Sequence, residues 1–290
     1  MNHNYLYIHN INPIVFSIGK IHIYWYGLMY LITFFFIMYF GKKKSIKYKF
    51  FKKNEFENLL NIIFISLLIG GRIGHVILYD YKYYIHHVIS IFKIWEGGMS
   101  FHGGLIGSII GIYYFCKKYN KKFFIISDFT SIFIPIGLGM GRIGNFINGE
   151  LWGKVYSTNF PIYCFFPKSY YYDVKFVQKN TYLQTFLEKF HYLPRHPSQI
   201  YEFFLEGIIL FIILLYTKKI TKKHGILSSV FLIIYGIFRI FVEFFREPDY
   251  NIYIKNISIT SGQFFSIPMI ILGLYIFIYS NKKTLKKNTK

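Results

Sequence analysis

Seven apolar runs mark the chain, at about 21–40, 59–79, 101–116, 123–146, 200–216, 226–245 and 264–280. Each approaches the roughly 20 residues that a membrane-spanning helix needs. The pattern predicts an all-α integral membrane protein, a single membrane-embedded domain of seven transmembrane helices. The third run is short. The fourth is interrupted by Pro135, Gly137, Gly139, Gly141 and Gly144, and such breaks are tolerated only where protein or a wet cavity re-satisfies the backbone. A bent or re-entrant fourth segment is expected. Residues of about 147–195 are too long for a turn and predict a small extracytoplasmic cap. The tail 281–290 reads as a basic, solvated, disordered end.

Charge placement orients these spans. Segments 41–53, 117–122, 217–224 and 281–290 hold 20 basic residues in 37 positions, whereas 1–20, 80–100, 147–199 and 246–263 hold 11 in 112. By the positive-inside rule the N-terminus is outside and the C-terminus cytoplasmic. Residues 1–20 lack a basic n-region ahead of an apolar stretch, so the first span is expected to act as an uncleaved anchor.

Composition changes the picture in two ways. The chain has 290 residues, 53% apolar and 22% aromatic, with two cysteines and a formal net charge of +21. The apolar fraction excludes a disordered chain, and the cysteine count excludes a disulfide scaffold. A charge of +21 first suggests nucleic acid; its concentration in four loops makes it a topology signal, and no nucleic-acid partner is expected. Of the 34 basic residues 29 are Lys, alongside abundant Ile, Phe, Tyr and Asn, the product of AT-rich coding. Arg72, Arg142, Arg195, Arg239 and Arg246 run against that drift.

With direction assigned, helical rise gives depth. Tyr26 lies roughly 8 Å inside the outer end of the first span, and Arg239 roughly 10 Å inside that of the sixth. Arg72, His102, the Arg142–Asn145 pair and Glu202 occupy the outer parts of four more. An ionisable group within a span costs at least a few kcal/mol and marks function or a buried pair. One such group can be explained by snorkelling; convergence from six helices is harder to explain that way. Asp128, near the cytoplasmic end of the fourth run, reads instead as a helix-start acid. Arg239, Glu243 and Arg246 fall at i, i+4 and i+7 on one helical stripe. Glu243 would hold Arg239 extended, and one carboxylate between two guanidinium groups leaves a net positive stripe. The natural anion in an outer leaflet is a lipid phosphate, which guanidinium grips bidentately.

The densest motif is Gly141-Arg142-Ile143-Gly144-Asn145-Phe146-Ile147-Asn148-Gly149-Glu150-Leu151-Trp152-Gly153. Two clusters accompany it, 98–104 around His102 and 195–202 from Arg195 through His196-Pro197-Ser198-Gln199 to Glu202. Here the sequence resembles the bacterial prolipoprotein diacylglyceryl transferases, whose signature G-R-x-G-N-F-x-N-x-E-x-x-G is matched throughout by 141–153. The resemblance also covers Trp25-Tyr26-Gly27-Leu28-Met29-Tyr30, Gly70-Gly71-Arg72-Ile73-Gly74 and Phe238-Arg239 through Arg246, in order along the chain. It lapses over 156–193 and at Tyr24, where the family has a histidine.

The resemblance implies transfer of the sn-1,2-diacylglyceryl group from phosphatidylglycerol to the lipobox cysteine of a prolipoprotein, beside the signal peptide, with release of glycerol phosphate. It implies a bacterial plasma-membrane enzyme whose site faces the outer leaflet, and no cofactor or metal. His102, Tyr26, Arg142 and Arg239 are the implied catalytic residues. Arg142, Asn145, Glu150, Gly153, Arg239, Glu243 and Arg246 are the implied phosphatidylglycerol-binding set. Two roles stay open for His102, the base that takes the thiol proton or a histidine that orders its Gly-rich turn. Arg72 and Glu202 read as a structural buried pair or as counter-ions. A transporter would show polar residues through the midplane and an internal repeat, and an intramembrane protease would need a catalytic pairing that this sequence lacks. A non-catalytic lipid-binding protein remains compatible with the sequence. Cys116 and Cys164 need no role, since the acceptor thiol belongs to the substrate.

Overall fold

A computed structural model of the chain describes residues 7–19, 21–48, 51–52, 54–93, 97–156, 163–248, 251–254 and 257–288. Strands β1 (Ile14–Ile18) and β2 (Ile21–Tyr24) precede helices α1 (Trp25–Tyr48), α2 (Glu55–Leu78), α3 (Tyr81–His86), α4 (Phe101–Lys118), α5 (Phe123–Ser131) and α6 (Ile134–Asn148). Strand β3 (Cys164–Phe165), helices α7 (Tyr170–Lys179) and α8 (Gln184–Phe190) and strand β4 (Pro194–Arg195) follow. The chain continues through α9 (Ser198–Ile220), α10 (Ile226–Val242), β5 (Asn251–Ile254), β6 (Ile257–Thr260) and α11 (Ser261–Asn288).

Helices occupy every apolar run. The stretches Glu55–Leu78, Phe123–Asn148, Ser198–Ile220 and Ser261–Lys282 are long and apolar enough to cross a membrane, by length and composition. On α2, Phe64, Ile65, Ile69, Ile73 and Ile77 are all exposed. An apolar face that large is a liability in water and natural in lipid, as in an integral membrane protein.

Several boundaries differ from expectation, each for a local reason. The first apolar run opens with Ile21-His22-Ile23-Tyr24, whose alternation is that of a strand, and these residues pair antiparallel with β1. Gly19 takes φ 59° beside them, a conformation open to glycine. The first helix therefore starts at Trp25, and the fold is not purely helical, since β3–β4 and β5–β6 are also two-stranded pairs. The fourth run is broken as expected, between Ser131 and Ile134. Pro135 sits in the first turn of α6, where its missing N–H costs nothing. Helix α10 stops at Val242, so Glu243 and Arg246 sit in the turn beyond it. The tail expected to be disordered is helical to Asn288. Within the cap range, 157–162 lies outside the described residues, as do Thr289 and Lys290 of the tail.

The chain forms two compact units. One holds the described residues up to Thr33, Ile132–Lys222 and those from Ser229 onward; the other holds Phe34–Ser131 with Lys223–Ser228.

In the second unit α2 and α4 meet backbone to backbone. Ser66, Gly70 and Gly74 recur every four residues, as do Gly103, Gly107 and Gly111, the small-residue spacing that lets helices approach closely. A Cβ at Gly70 would stand 2.8 Å from Gly107 Cα, and one at Gly74 2.6 Å from Gly103 Cα. Leu59, Ile112, Phe115, Cys116 and Ile126 form the unit's core. Asp128 caps a different helix from the one expected. Its carboxylate accepts the N–H groups of Gly225 (2.6 Å) and Ser228 (2.8 Å) and the Ser228 hydroxyl (2.7 Å), at the start of α10. In the first unit, Val177, Leu183 and Leu193 anchor the cap, packed by Val155, Phe176, Phe186 and Leu187.

The α2–α4 contact is testable by thermal unfolding in detergent. Gly107→Leu forces backbone apart and is expected to cost at least the ~1–3 kcal/mol of ordinary overpacking. Gly27→Ala, where an added Cβ meets open space, is expected to unfold no earlier than the unsubstituted protein. Equal melting of the Gly107→Leu protein would refute the close crossing.

Candidate active site

The 141–153 motif begins in α6 and leaves it by a tight turn. Gly149 adopts φ 61° as the helix cap, and Leu151 follows at φ 57°. The amides of Asn145 (2.9 Å) and Asn148 (3.3 Å) both donate to Glu150 Oε1. Gln199 of α9 donates to the Glu150 carbonyl at 2.6 Å. Polar residues of the motif thus brace the turn against α9. Gly153 closes it: its N–H donates to the His196 carbonyl at 2.8 Å. A Cβ there would overlap the His196 carbonyl and reach 2.6 Å from that of Phe245, so only glycine fits between the two backbones. Tyr26, in the first turn of α1, packs on the same helix. A Cβ at Gly144 would stand 2.8 Å from its ring, and its hydroxyl lies 3.1 Å from that of Tyr30.

Beside this turn lies a six-membered ion cluster. Arg142 comes from α6, Glu202 and Glu206 from α9, and Arg239, Glu243 and Arg246 from α10 and the turn after it. Arg142 donates through Nε (3.2 Å) and Nη2 (3.0 Å) to Glu206 Oε2, and its Nη1 lies 3.3 Å from Glu202 Oε2. Arg239 bonds Glu202 Oε1 through Nη1 and Glu243 Oε1 through Nη2 at 2.6 Å. Arg246 reaches Glu243 Oε1 at 3.2 Å and lies 4.0 Å from Glu202 Oε1.

Arg239 and Glu243 pair as the stripe implied, but the net positive stripe is corrected. Glu202 and Glu206 bring the cluster to three cations and three carboxylates. The charges differ in access, however. Glutamate side chains are 0–1% exposed, whereas Arg142 keeps 16% and Arg239 12%. Arg142 and Arg239 are thus the members of the cluster nearest the surface, and the carboxylates lie deeper.

Local backbone brings these groups together. Gly207 and Gly139 touch, a Cβ at Gly207 lying 2.9 Å from Gly139 Cα. Residues 203–209 form a π-helical stretch inside α9, an irregularity frequent at functional sites. Glu206 did not emerge from the sequence. Its available signal was a second acid in an apolar run, four residues after Glu202.

The remaining arginines have structural partners. Arg195, 1% exposed in its side chain, pairs with Asp173 Oδ1 at 2.7 Å and Glu247 at 3.1 Å and donates to the Gly153 carbonyl at 3.0 Å. Asp173 also accepts from Ser169 Oγ (2.8 Å) and Leu193 N (3.0 Å). Of the two expectations for Arg72 and Glu202, a mutual pair gives way to other partners for each, and Glu202 stands as counter-ion to Arg142 and Arg239. Arg72 donates to the carbonyls of Ser90 (2.5 Å), Ile91 (2.8 Å), Lys93 (3.2 Å), Gly97 and Gly98 (3.1 Å), a fork folded over the loop that leads to α4. His102 belongs to the second unit, beside Gly103 in the first turn of α4. There the Ser100 hydroxyl caps Gly103 N, and the His102 ring stacks edge-on to Phe101 at 5.4 Å.

Both cysteines are free and buried, and burial pushes the Cys164 thiol up to about 12. Burial, with the Lys154 charge, holds His196 below its usual value. No group of three or more His, Cys, Asp or Glu placed to hold a metal occurs among the described residues.

Two outcomes follow from the cap. Asp173→Ala removes the buried partner of Arg195 and leaves it only Glu247 and the Gly153 carbonyl; a cost of up to about 3–5 kcal/mol is expected, read as earlier thermal unfolding and faster proteolysis of 163–197. Cys164 is expected to resist maleimide at neutral pH until the cap is unfolded; prompt labelling would contradict its burial.

The model of the prolipoprotein diacylglyceryl transferase family matches residues 13–279. A phosphatidylglycerol–prolipoprotein diacylglyceryl transferase of Wigglesworthia glossinidia brevipalpis is 55% identical over 276 residues, 95% of this chain and 98% of its own length. One from Buchnera aphidicola subsp. Acyrthosiphon pisum (strain Tuc7) is 54% identical over 277 residues, again 95% and 98%. One from Escherichia fergusonii is 44% identical over 289 residues, 98% of each chain. Matches of this length leave no part of the site outside the comparison, and the chain belongs to the prolipoprotein diacylglyceryl transferase family.

Proposed function

We propose that the chain transfers the sn-1,2-diacylglyceryl group of phosphatidylglycerol to the lipobox cysteine of prolipoproteins, the first step of lipoprotein maturation. The observation that carries this reading is a pair of partly exposed arginine side chains, Arg142 and Arg239, backed by buried carboxylates in a chain whose relatives are named for that transfer.

The chemistry follows from charge. The thiol sulfur forms a bond to the glyceryl carbon as that carbon's bond to the phosphate oxygen breaks. The bonding pair leaves with the phosphate, and glycerol phosphate is released. The phosphate thereby goes from one negative charge toward two, and guanidinium forks on Arg142 and Arg239 stabilise the charge as it grows. A free thiol has a pKa near 8.5, so it needs a base or a positive field. His102 supplies the base or orders its turn while the arginines supply the field. Tyr26 donates to a phosphate or ester oxygen. Asn145 and Glu150 hold the motif turn, Gly153 its close contact, and Glu243 with Arg246 the far side of the headgroup site.

In the same proposal the membrane domain has seven spans with the N-terminus outside, the C-terminus cytoplasmic and the cap extracytoplasmic. The arginines then lie in the outer leaflet of a bacterial plasma membrane, where lipid and secreted peptide meet. Loop charge asymmetry and the coincidence of helices with the apolar runs support that arrangement.

The direct test incubates purified protein with phosphatidylglycerol and a lipobox peptide. The expected products are a diacylglyceryl mass increment on the cysteine and free glycerol phosphate; neither product would mean the reading is wrong. Arg142→Lys keeps charge and loses the fork, and near-complete loss of transfer with normal membrane insertion is expected. His102→Gln is expected to slow turnover about 10²–10⁴-fold if His102 is the base, whereas a modest effect assigns it the ordering role.

A further inference from the structure

Glu206 belongs to none of the motifs that mark the family resemblance, yet it makes the most complete contact with Arg142. One oxygen, Oε2, takes both Nε and Nη2 of that guanidinium at 3.2 and 3.0 Å. The other, Oε1, is buried, accepts no hydrogen bond among the described residues, and lies 4.0 Å from Arg239 Nη1. Glu202 Oε2 and Glu243 Oε2 share this state, so what sets Glu206 apart is its two-nitrogen hold on Arg142. The mount is rigid. Glu206 lies in the π-helical stretch 203–209, and its neighbour Gly207 touches Gly139, three residues before Arg142, with no side chain between the two backbones.

We propose that Glu206 is a positioning residue of the transfer, fixing the Arg142 guanidinium by its Nε–Nη2 edge so that Nη1, which lies 3.3 Å from Glu202 Oε2, is the arm that turns to the phosphate. This rests on the reading that Arg142 binds the phosphate of phosphatidylglycerol. With three carboxylates against three guanidinium groups the resting site is neutral, and a singly charged phosphodiester is held modestly. As the carbon–oxygen bond breaks, the phosphate gains its second charge and the attraction to Arg142 rises. Glu206 meanwhile keeps Arg142 from collapsing onto the ground-state lipid. Interactions that strengthen only in the transition state raise turnover, whereas equal binding of both states does not.

The test is a split between kcat and KM for phosphatidylglycerol in the lipobox-peptide assay. Glu206→Ala loses both the hold and the charge, so kcat is expected to fall about 100-fold, the scale of a small misplacement, while KM does not rise. Glu206→Gln keeps an acceptor oxygen and loses the charge, and its kcat is expected about tenfold below that of the unsubstituted protein, with KM again not raised. Either variant with unchanged kcat, or with a raised KM and unchanged kcat, overturns the proposal. If the alanine protein does not insert, the glutamine protein decides by the same criterion.

Arg142→Lys in the same assay separates the two readings. An inactive Arg142→Lys protein with fully active Glu206 variants sinks the positioning role alone. A fully active Arg142→Lys protein sinks the phosphate reading and the role of Glu206 with it.

Discussion

A guanidinium group can stay inside an apolar helix bundle only if acceptors come with it; in the first unit carboxylates take that part, and the constraint organises the unit. Removing one partner from a buried ion pair leaves an uncompensated charge and costs several kcal/mol. The cluster avoids this by sharing. Glu202 serves Arg142 and Arg239, and Glu243 serves Arg239 and Arg246. Three helical segments are tied together by the sharing, and the glutamates are drawn fully inward while two arginines keep an open edge. A cluster that is neutral overall, with Arg142 and Arg239 as its most exposed members, results.

Such sharing requires short distances between helices, which in lipid cannot come from hydrophobic driving force. The Gly139–Gly207 contact supplies them beside the cluster, and Gly153 supplies them where the motif turn passes between the His196 and Phe245 carbonyls. The second unit uses the same device at α2–α4, where Gly70, Gly74, Gly103 and Gly107 leave no room for side chains. Glycines that a sequence reader takes for helix breakers are here the means by which polar groups meet. Gly141 and Gly144 extend the same logic to Tyr30 and Tyr26, whose rings lie over the backbone of α6.

The helices and five members of the cluster, Glu202 among them, were legible because both signals are large. Apolar runs of near-spanning length are rare by chance, and Arg142, Glu202, Arg239, Glu243 and Arg246 stand out within or beside them. Glu206 was not legible. A single acid in an apolar helix has no visible partner when that partner lies 64 residues away. Asp173 and Arg195 pair inside the cap across 22 residues with no periodic pattern joining them. The opening hairpin was hidden for another reason: Ile21–Tyr24 has both the apolarity of a span and the alternation of a strand, and at four residues periodicity loses to length. Asp128 looked like the cap of its own helix, because a helix-start acid is a local pattern and the N–H groups it meets at Gly225 and Ser228 are not local.

The five arginines share one physical property. Arg72 donates to five backbone carbonyls; Arg195 spans Asp173, Glu247 and the Gly153 carbonyl. Arg142 and Arg246 each lie within ion-pair range of two carboxylates, and Arg239 of three. In every case a planar fork meets acceptors in several fixed directions, and the point charge of lysine on a flexible stem cannot hold such an arrangement. Coding drift toward lysine can therefore proceed on exposed loops, where a charge of either geometry suffices, and must stop at these positions. The scarcity of arginine in this chain is itself a map of where direction matters as well as charge. Two of the five positions on that map, Arg142 and Arg239, combine such fixed partners with side chains that stay 16% and 12% exposed.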